Sequence, residues 1–60
     1  MLSSVPRKGD WVSHVSNPPW TGMVMHVQVL DGVIVYTVYW LGKGESWHIL
    51  SELTIERRAT

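Results

Sequence analysis

Short blocks of β-branched and aromatic residues alternate with turn-forming residues along most of the chain. The blocks are Trp11-Val12-Ser13-His14-Val15, Met23 to Leu30, Val33 to Trp40, Ser46 to Ile49 and Thr54-Ile55-Glu56. Between them stand Gly9-Asp10, Asn17-Pro18-Pro19, Gly22, Asp31-Gly32 and Gly42-Lys43-Gly44. Pieces of this length are too short for ordinary helices, and this composition favours strands. Leu50-Ser51-Glu52-Leu53 is the one helical-looking stretch, a single turn long, which predicts a 3₁₀ turn just before the last strand. The pattern therefore predicts an all-β domain of five short strands.

Asp31-Gly32 is the sharpest local signal, because Asp-Gly supplies the two positive φ angles of a type I′ hairpin. It sets Leu30 opposite Val33, Val29 opposite Ile34, Val27 opposite Tyr36, Met25 opposite Val38 and Met23 opposite Trp40. One face then carries Met23, Met25, Val27, Val29, Ile34, Tyr36, Val38 and Trp40, and this face is expected to be the core. The other carries Val24, His26, Gln28, Leu30, Val33, Val35, Thr37 and Tyr39. A loop over Gly42 to Glu45 would set Trp40 opposite Trp47 and Val38 opposite Ile49, with Tyr39 and His48 pointing outward together. Val27, Ile34, Tyr36, Val38 and Ile49 are thus expected to be buried as one cluster.

Composition narrows the function. Sixty residues make a single domain, here residues 1–60 with an ordered core over about 8–56. A domain of this size buries only about 60% of the surface its unfolded chain exposes. With no Cys, neither disulfides nor thiolate metal sites add stability, so a dense apolar core must do so. The 45% hydrophobic content and four Trp allow one and exclude a disordered tail. Five basic and five acidic residues give zero net charge, which disfavours a dedicated duplex-DNA binder. The first eight residues lack the apolar core of a signal peptide, and no stretch is long and apolar enough to span a membrane. A cytoplasmic protein, without a membrane partner, is expected; the first eight and last four residues are expected to fray.

The order of motifs resembles an SH3-like barrel, the shape shared by SH3, Tudor and KOW modules. The resemblance is carried by Gly9-Asp10-Trp11-Val12, Trp20-Thr21-Gly22-Met23-Val24, Tyr36-Thr37-Val38-Tyr39-Trp40 and Ser46-Trp47-His48-Ile49-Leu50-Ser51-Glu52-Leu53, and covers residues 8–56. It is most similar to small stand-alone SH3-like proteins of phages and bacteria. Such barrels turn the Val of Trp-x-Gly-x-Val inward, whereas the hairpin register leaves Val24 outside. A β-bulge between Val24 and Val27, near Met25, reconciles the two. More distantly, the chain resembles the plasmid-type, trimethoprim-resistant dihydrofolate reductases, tetramers with a pore built on a Val-Gln-Ile-Tyr stretch. The matching stretch here, Ser46 to Leu50, lacks the Gln and Tyr, so no NADPH-dependent reduction of dihydrofolate is expected.

Candidate chemistry is sparse. His14, His26 and His48 lie on three separate strands without ligand spacing, so neither a metal nor another cofactor is expected. The acidic residues sit mostly at turns and read as turn chemistry and solubility, and catalysis is the less favoured reading. The aromatic excess is more informative. By the resemblance, Trp20, Tyr39, Trp47 and His48 line a recognition surface for a peptide, a methylated Lys or an unstacked base. The resemblance also brings the termini together, so Arg7, Lys8, Arg57 and Arg58 would form one basic patch suited to a nucleic-acid backbone. The expected function is a non-catalytic binding or assembly module. The two alternatives are a diverged tetrameric reductase and a nucleic-acid-binding module. The apolar outer face of the 24–39 hairpin further predicts a homo-oligomer, most simply a two-fold dimer.

Overall fold

The computed structural model describes residues 5–59. Five antiparallel strands form one sheet: β1 (Trp11–His14), β2 (Asn17–Leu30), β3 (Val33–Trp40), β4 (Gly44–His48) and β5 (Leu53–Arg57). A 3₁₀ turn, Leu50–Glu52, precedes β5, where the sequence places it. The strand order is β4-β3-β2-β1-β5, and no ladder joins β4 to β5, so the sheet is curled but open.

The Asp31-Gly32 turn forms as expected, with φ of 51° and 77°. Leu30 pairs with Val33, Val29 with Ile34 and Val27 with Tyr36. The register then shifts between Val24 and His26, leaving Met25 unpaired. Beyond this bulge Val24 pairs with Val38, Met23 with Tyr39 and Gly22 with Trp40, which replaces the expected Met25–Val38 and Met23–Trp40 pairs. Val24 is thereby turned inward and fully buried, its N–H bonded to the Asp10 carbonyl and its own carbonyl accepting from Gly9 N–H.

The β3–β4 turn departs further from expectation. Leu41-Gly42-Lys43 connects the strands, Lys43 N–H bonding the Trp40 carbonyl at 2.9 Å, and Gly42 takes φ 76°. Trp40 therefore pairs with Gly44, Val38 with Ser46, Thr37 with Trp47 and Tyr36 with His48. The offset differs by an odd number from the expected one, so every β4 side chain changes face. His48 points inward, its side chain 10% exposed, and Trp47 points outward.

Val12, Val24, Tyr36, Val38, Trp40 and Leu53 form the core, with Val5, Trp20 and Ile55 packed against it. Tyr36 and Val38 are buried as expected; Val27, Ile34 and Ile49 are not, each remaining more than two-fifths exposed. The hairpin tip projects past the rest of the sheet, with both of its faces open to solvent. Burial pushes the Tyr36 phenol above its ordinary pKa, keeping it neutral.

Residues 5–8 and 57–59 are held rather than frayed; residues 1–4 and 60 of the expected frayed ends lie outside the described residues. The anchor is Asp10, only 2% exposed rather than the solvated turn residue its sequence position suggests. Its carboxylate accepts from Arg7 N–H at 2.9 Å, Ala59 N–H at 2.8 Å and Arg58 Nη1 at 3.1 Å, while Arg58 Nη1 also donates to the Val5 carbonyl. Arg58 is thus spent on Asp10 instead of joining an all-basic terminal patch.

Burial raises the Asp10 pKa, but the Ala59 and Arg7 N–H groups and the Arg58 guanidinium pull it down more strongly, leaving it below the ordinary 3.8. A depressed carboxylate stabilises the folded state fully above its unfolded value. That contribution is lost as pH falls below 3.8 towards the lowered folded value. The urea midpoint of the native chain should therefore fall as pH drops from about 5 to about 2. Asp10→Asn should start lower and flatten this acid limb; an unchanged acid limb would show that Asp10 does not carry it.

Candidate functional site

The four sequence-selected residues lie on two sides of the sheet. Trp20 and His48 belong to an inward cluster of rings, while Tyr39 and Trp47 lie outside.

The inward cluster starts from the β1–β2 turn. Ser16 N–H bonds His14 Nδ1 at 3.1 Å, which orients the His14 imidazole towards the sheet. Its ring meets those of Trp20 at 5.9 Å, Trp40 at 5.8 Å and His48 at 5.2 Å, centroid to centroid. Trp20 meets Trp40 at 6.0 Å, and Trp40 meets His48 edge-on at 5.3 Å. These spacings are those of rings in direct packing, so the cluster is filled by its own members. Lys43 Nζ lies 5.2 Å from the Trp20 ring centroid, so the chain's own cation takes the outer Trp20 face.

Trp40 Nε1–H can only donate, and it is shared between Ser46 Oγ at 2.9 Å and His48 Nε2 at 3.1 Å. His48 Nε2 therefore accepts, and it also faces Ser46 Oγ at 2.6 Å. Its Nδ1–H is left to donate to Glu52 Oε1 at 3.0 Å, an oxygen that also accepts from Ile49 N–H at 3.2 Å. Burial pushes Glu52 up, yet the Ile49 N–H and the His48 hydrogen bond outweigh it, and its pKa ends below normal.

Hydroxyl, imidazole and carboxylate thus stand in the order of a proton relay. The Ser46 oxygen, however, is engaged by His48 on one side and by the Trp40 indole on the other. The network joins β3, β4 and the 3₁₀ turn, and its visible role is to pin the edge strand. Nothing in the sequence spacing announces it. The nearest signal was Ser and His two apart on a strand, which places both on one face.

On the other side of the sheet one row of directly opposed residues crosses all five strands. Arg57 faces Trp11, Trp11 faces Met23, Met23 faces Tyr39 and Tyr39 faces Glu45. Gly9, Trp11, Met23 and Arg57 line a hollow of about 230 Å³ at one end of the row. In the next row His26 pairs with Thr37 and Thr37 with Trp47. Trp47 is 62% exposed, and Met23 and Tyr39 are about two-fifths exposed. Trp47 also borders a hollow of about 320 Å³ with Val35, His48, Ile49 and Glu52. Of this surface, sequence reasoning picked Tyr39 and Trp47 and missed Met23 and the charged ends of the row. Met23 was assigned to the core because the bulge lies between it and the hairpin turn.

Among the described residues no group of three or more His, Cys, Asp or Glu side chains is gathered in a way that would hold a metal ion. Nor, among them, is any helix long and apolar enough to cross a membrane. No protein-family model matches the chain, and neither does any curated protein or solved structure.

Proposed function

We propose that the chain is a non-catalytic binding and assembly module of SH3-like design, whose contact surface is the outer face of its sheet. The observation that carries this reading is the row of half-buried Trp11 with exposed Met23 and Tyr39, and exposed Trp47 beside it. Large rigid rings and an adaptable Met thioether are the side chains that dominate recognition surfaces, because they bury much area at small entropic cost. Soluble domains rarely leave such a surface uncovered without a use for it. The strand number, the 3₁₀ turn before β5 and the inward Val24 support the SH3-like reading. The opposite ring cluster suits recognition less well, because its rings already satisfy one another and Lys43 covers Trp20.

The test is to locate where contact falls. Aromatic NMR signals should be followed while the protein is concentrated and, separately, while a pool of random short peptides is added. Shifts of Trp11, Tyr39 and Trp47, with His14 and Trp20 unmoved, are the expected result in at least one titration. Shifts confined to the His14–Trp20 side, or none in either titration, would overturn the reading.

A further inference from the structure

Among the described residues, strand edges lack a laddered neighbour at β4, at β5 and along the hairpin tip. The outer strands carry charges, which discourage pairing with another chain: Glu45 on β4, and Glu56 and Arg57 on β5. The β2 side of the hairpin tip has no such protection. β1 accompanies β2 only as far as Val24, whose N–H and carbonyl bond Asp10 and Gly9. From Met25 to Leu30 there is no charged residue, no Pro and no Gly. Val27 is 44% exposed and Val29 68% exposed.

The hairpin register fixes which groups this edge presents. Leu30 and Val33 flank a two-residue turn, so they exchange both backbone hydrogen bonds, and bonding alternates from there. Leu30, Gln28 and His26 therefore bond β3, while Val29 and Val27 turn their N–H and C=O groups to the open side. On the β3 side only Ile34 does so before the ladder to β4 begins at Tyr36.

The open β2 edge is complementary to itself. Consider a two-fold axis perpendicular to the sheet, midway between Gln28 and Gln28 of a second copy. It sets Val27 against Val29 of that copy and Val29 against its Val27, so each outward N–H meets a carbonyl. Val27, Val29 and Ile34 of both copies then share one face of the joined sheet. His26 stands opposite Leu30, so the paired stretch stops two residues short of Val24, where β1 begins. Asp31 of each copy comes to the Lys8-Gly9 turn of the other, and both Asp31 and Lys8 are exposed. Each end of the contact thus sets an acid beside a base. The patch is the same on both copies, so it closes at two.

We infer that the hairpin-tip edge of β2 pairs antiparallel with the same edge of a second copy of this chain, centred on Gln28. The contact is additional to the outer face and stands without it. It also relocates the interface expected on the outer face of the 24–39 hairpin. Val24 is buried in the core, and the association passes to the edge of the hairpin.

Sedimentation equilibrium of the intact chain from micromolar to millimolar concentration should show a dimer. Val29→Pro removes half of the bonds between the copies and none within the hairpin, since this N–H points to the open side. It should weaken the dimer at least about tenfold. Cysteine substitution reads the register, because the native chain has no Cys. Across a non-hydrogen-bonded antiparallel pair the Cα atoms lie about 4.5 Å apart, within disulfide reach. Gln28→Cys should therefore form a covalent dimer in oxidised glutathione. His26→Cys is the control: its two copies stand four residues out of step, about 13 Å, and should cross-link at least about tenfold more slowly. All three positions are exposed, and circular dichroism should show the variants folded. Should Val29→Pro fail to fold, the two cysteine variants decide. A native monomer at every concentration, a folded Val29→Pro variant that dimerises like the native chain, or equal cross-linking of the two cysteine variants would each overturn the inference. The outer-face reading fails separately, when added peptides as well as concentration leave Tyr39 and Trp47 unmoved.

Discussion

Gly22→Ala is expected to leave the chain without a cooperative fold. Gly22 lies between Val12 on β1 and Trp40 on β3, paired on both sides. A Cβ there would stand 2.2 Å from the Tyr39 carbonyl oxygen, 2.9 Å from its carbonyl carbon and 3.0 Å from Trp40 Cα. All three are backbone atoms, so no side chain can swing away to make room. Relief requires β2 and β3 to separate where Trp40 and Val24 depend on their contact. Overpacking a core typically costs about 1–3 kcal/mol and more where nothing can yield. A domain of this size holds only about 3–5 kcal/mol in total. Far-ultraviolet circular dichroism of the purified variant should show no cooperative thermal transition. A native-like transition would mean that the two strands are not so closely apposed.

Trp40→Ala is the second large effect. Trp40 is the largest side chain in the core, 1% exposed, and touches His14, Trp20 and His48. Its removal should cost about 3–5 kcal/mol through lost burial and the cavity left behind, again enough to unfold the domain. Trp40→Phe separates the two roles of the residue. The ring remains, but Ser46 Oγ and His48 Nε2 lose the indole N–H they share. Those two atoms still bond each other at 2.6 Å, so the change costs about 0.5–1.5 kcal/mol, the net worth of the lost indole hydrogen bond. Urea midpoints should therefore fall in the order native, Phe, Ala. Equal loss in both variants would assign the whole effect to the hydrogen bonds.

The strands and the hairpin tip were legible because their causes are local. Asp31-Gly32 fixes the register from Leu30 to Val27 by backbone geometry alone. The bulge at Met25 was legible from the conflict between that register and an inward Val24. His48 was not legible, because its face hangs on the length of one turn and an odd change in offset inverts a strand. Val27, Ile34 and Ile49 were misassigned for a different reason. Alternation shows which face a residue takes, while burial needs another element over that face, and at the hairpin tip none covers it. Asp10 carries no local mark at all: a carboxylate after Gly at a turn looks the same whether solvent or a distant Arg58 receives it. The outer row stayed hidden because it assembles one residue from each strand, and four registers must be known before it exists.

The Asp10 carboxylate binds an N–H three residues before it and groups nearly fifty residues after it. This gives the chain an order of assembly. The β2–β3 and β3–β4 hairpins close short loops and lose little chain freedom in doing so, whereas the β1–β5 pairing must draw together the two ends of the molecule. The buried carboxylate can be satisfied only once that last pairing is in place, since Ala59 and Arg58 arrive with β5. Until then Asp10 can accept only from the nearby Arg7 N–H, a local bond that ties β1 to no other strand. The carboxylate therefore acts as a completion lock: it adds its stability in the final step and, by the same token, is the first attachment an unfolding molecule must release.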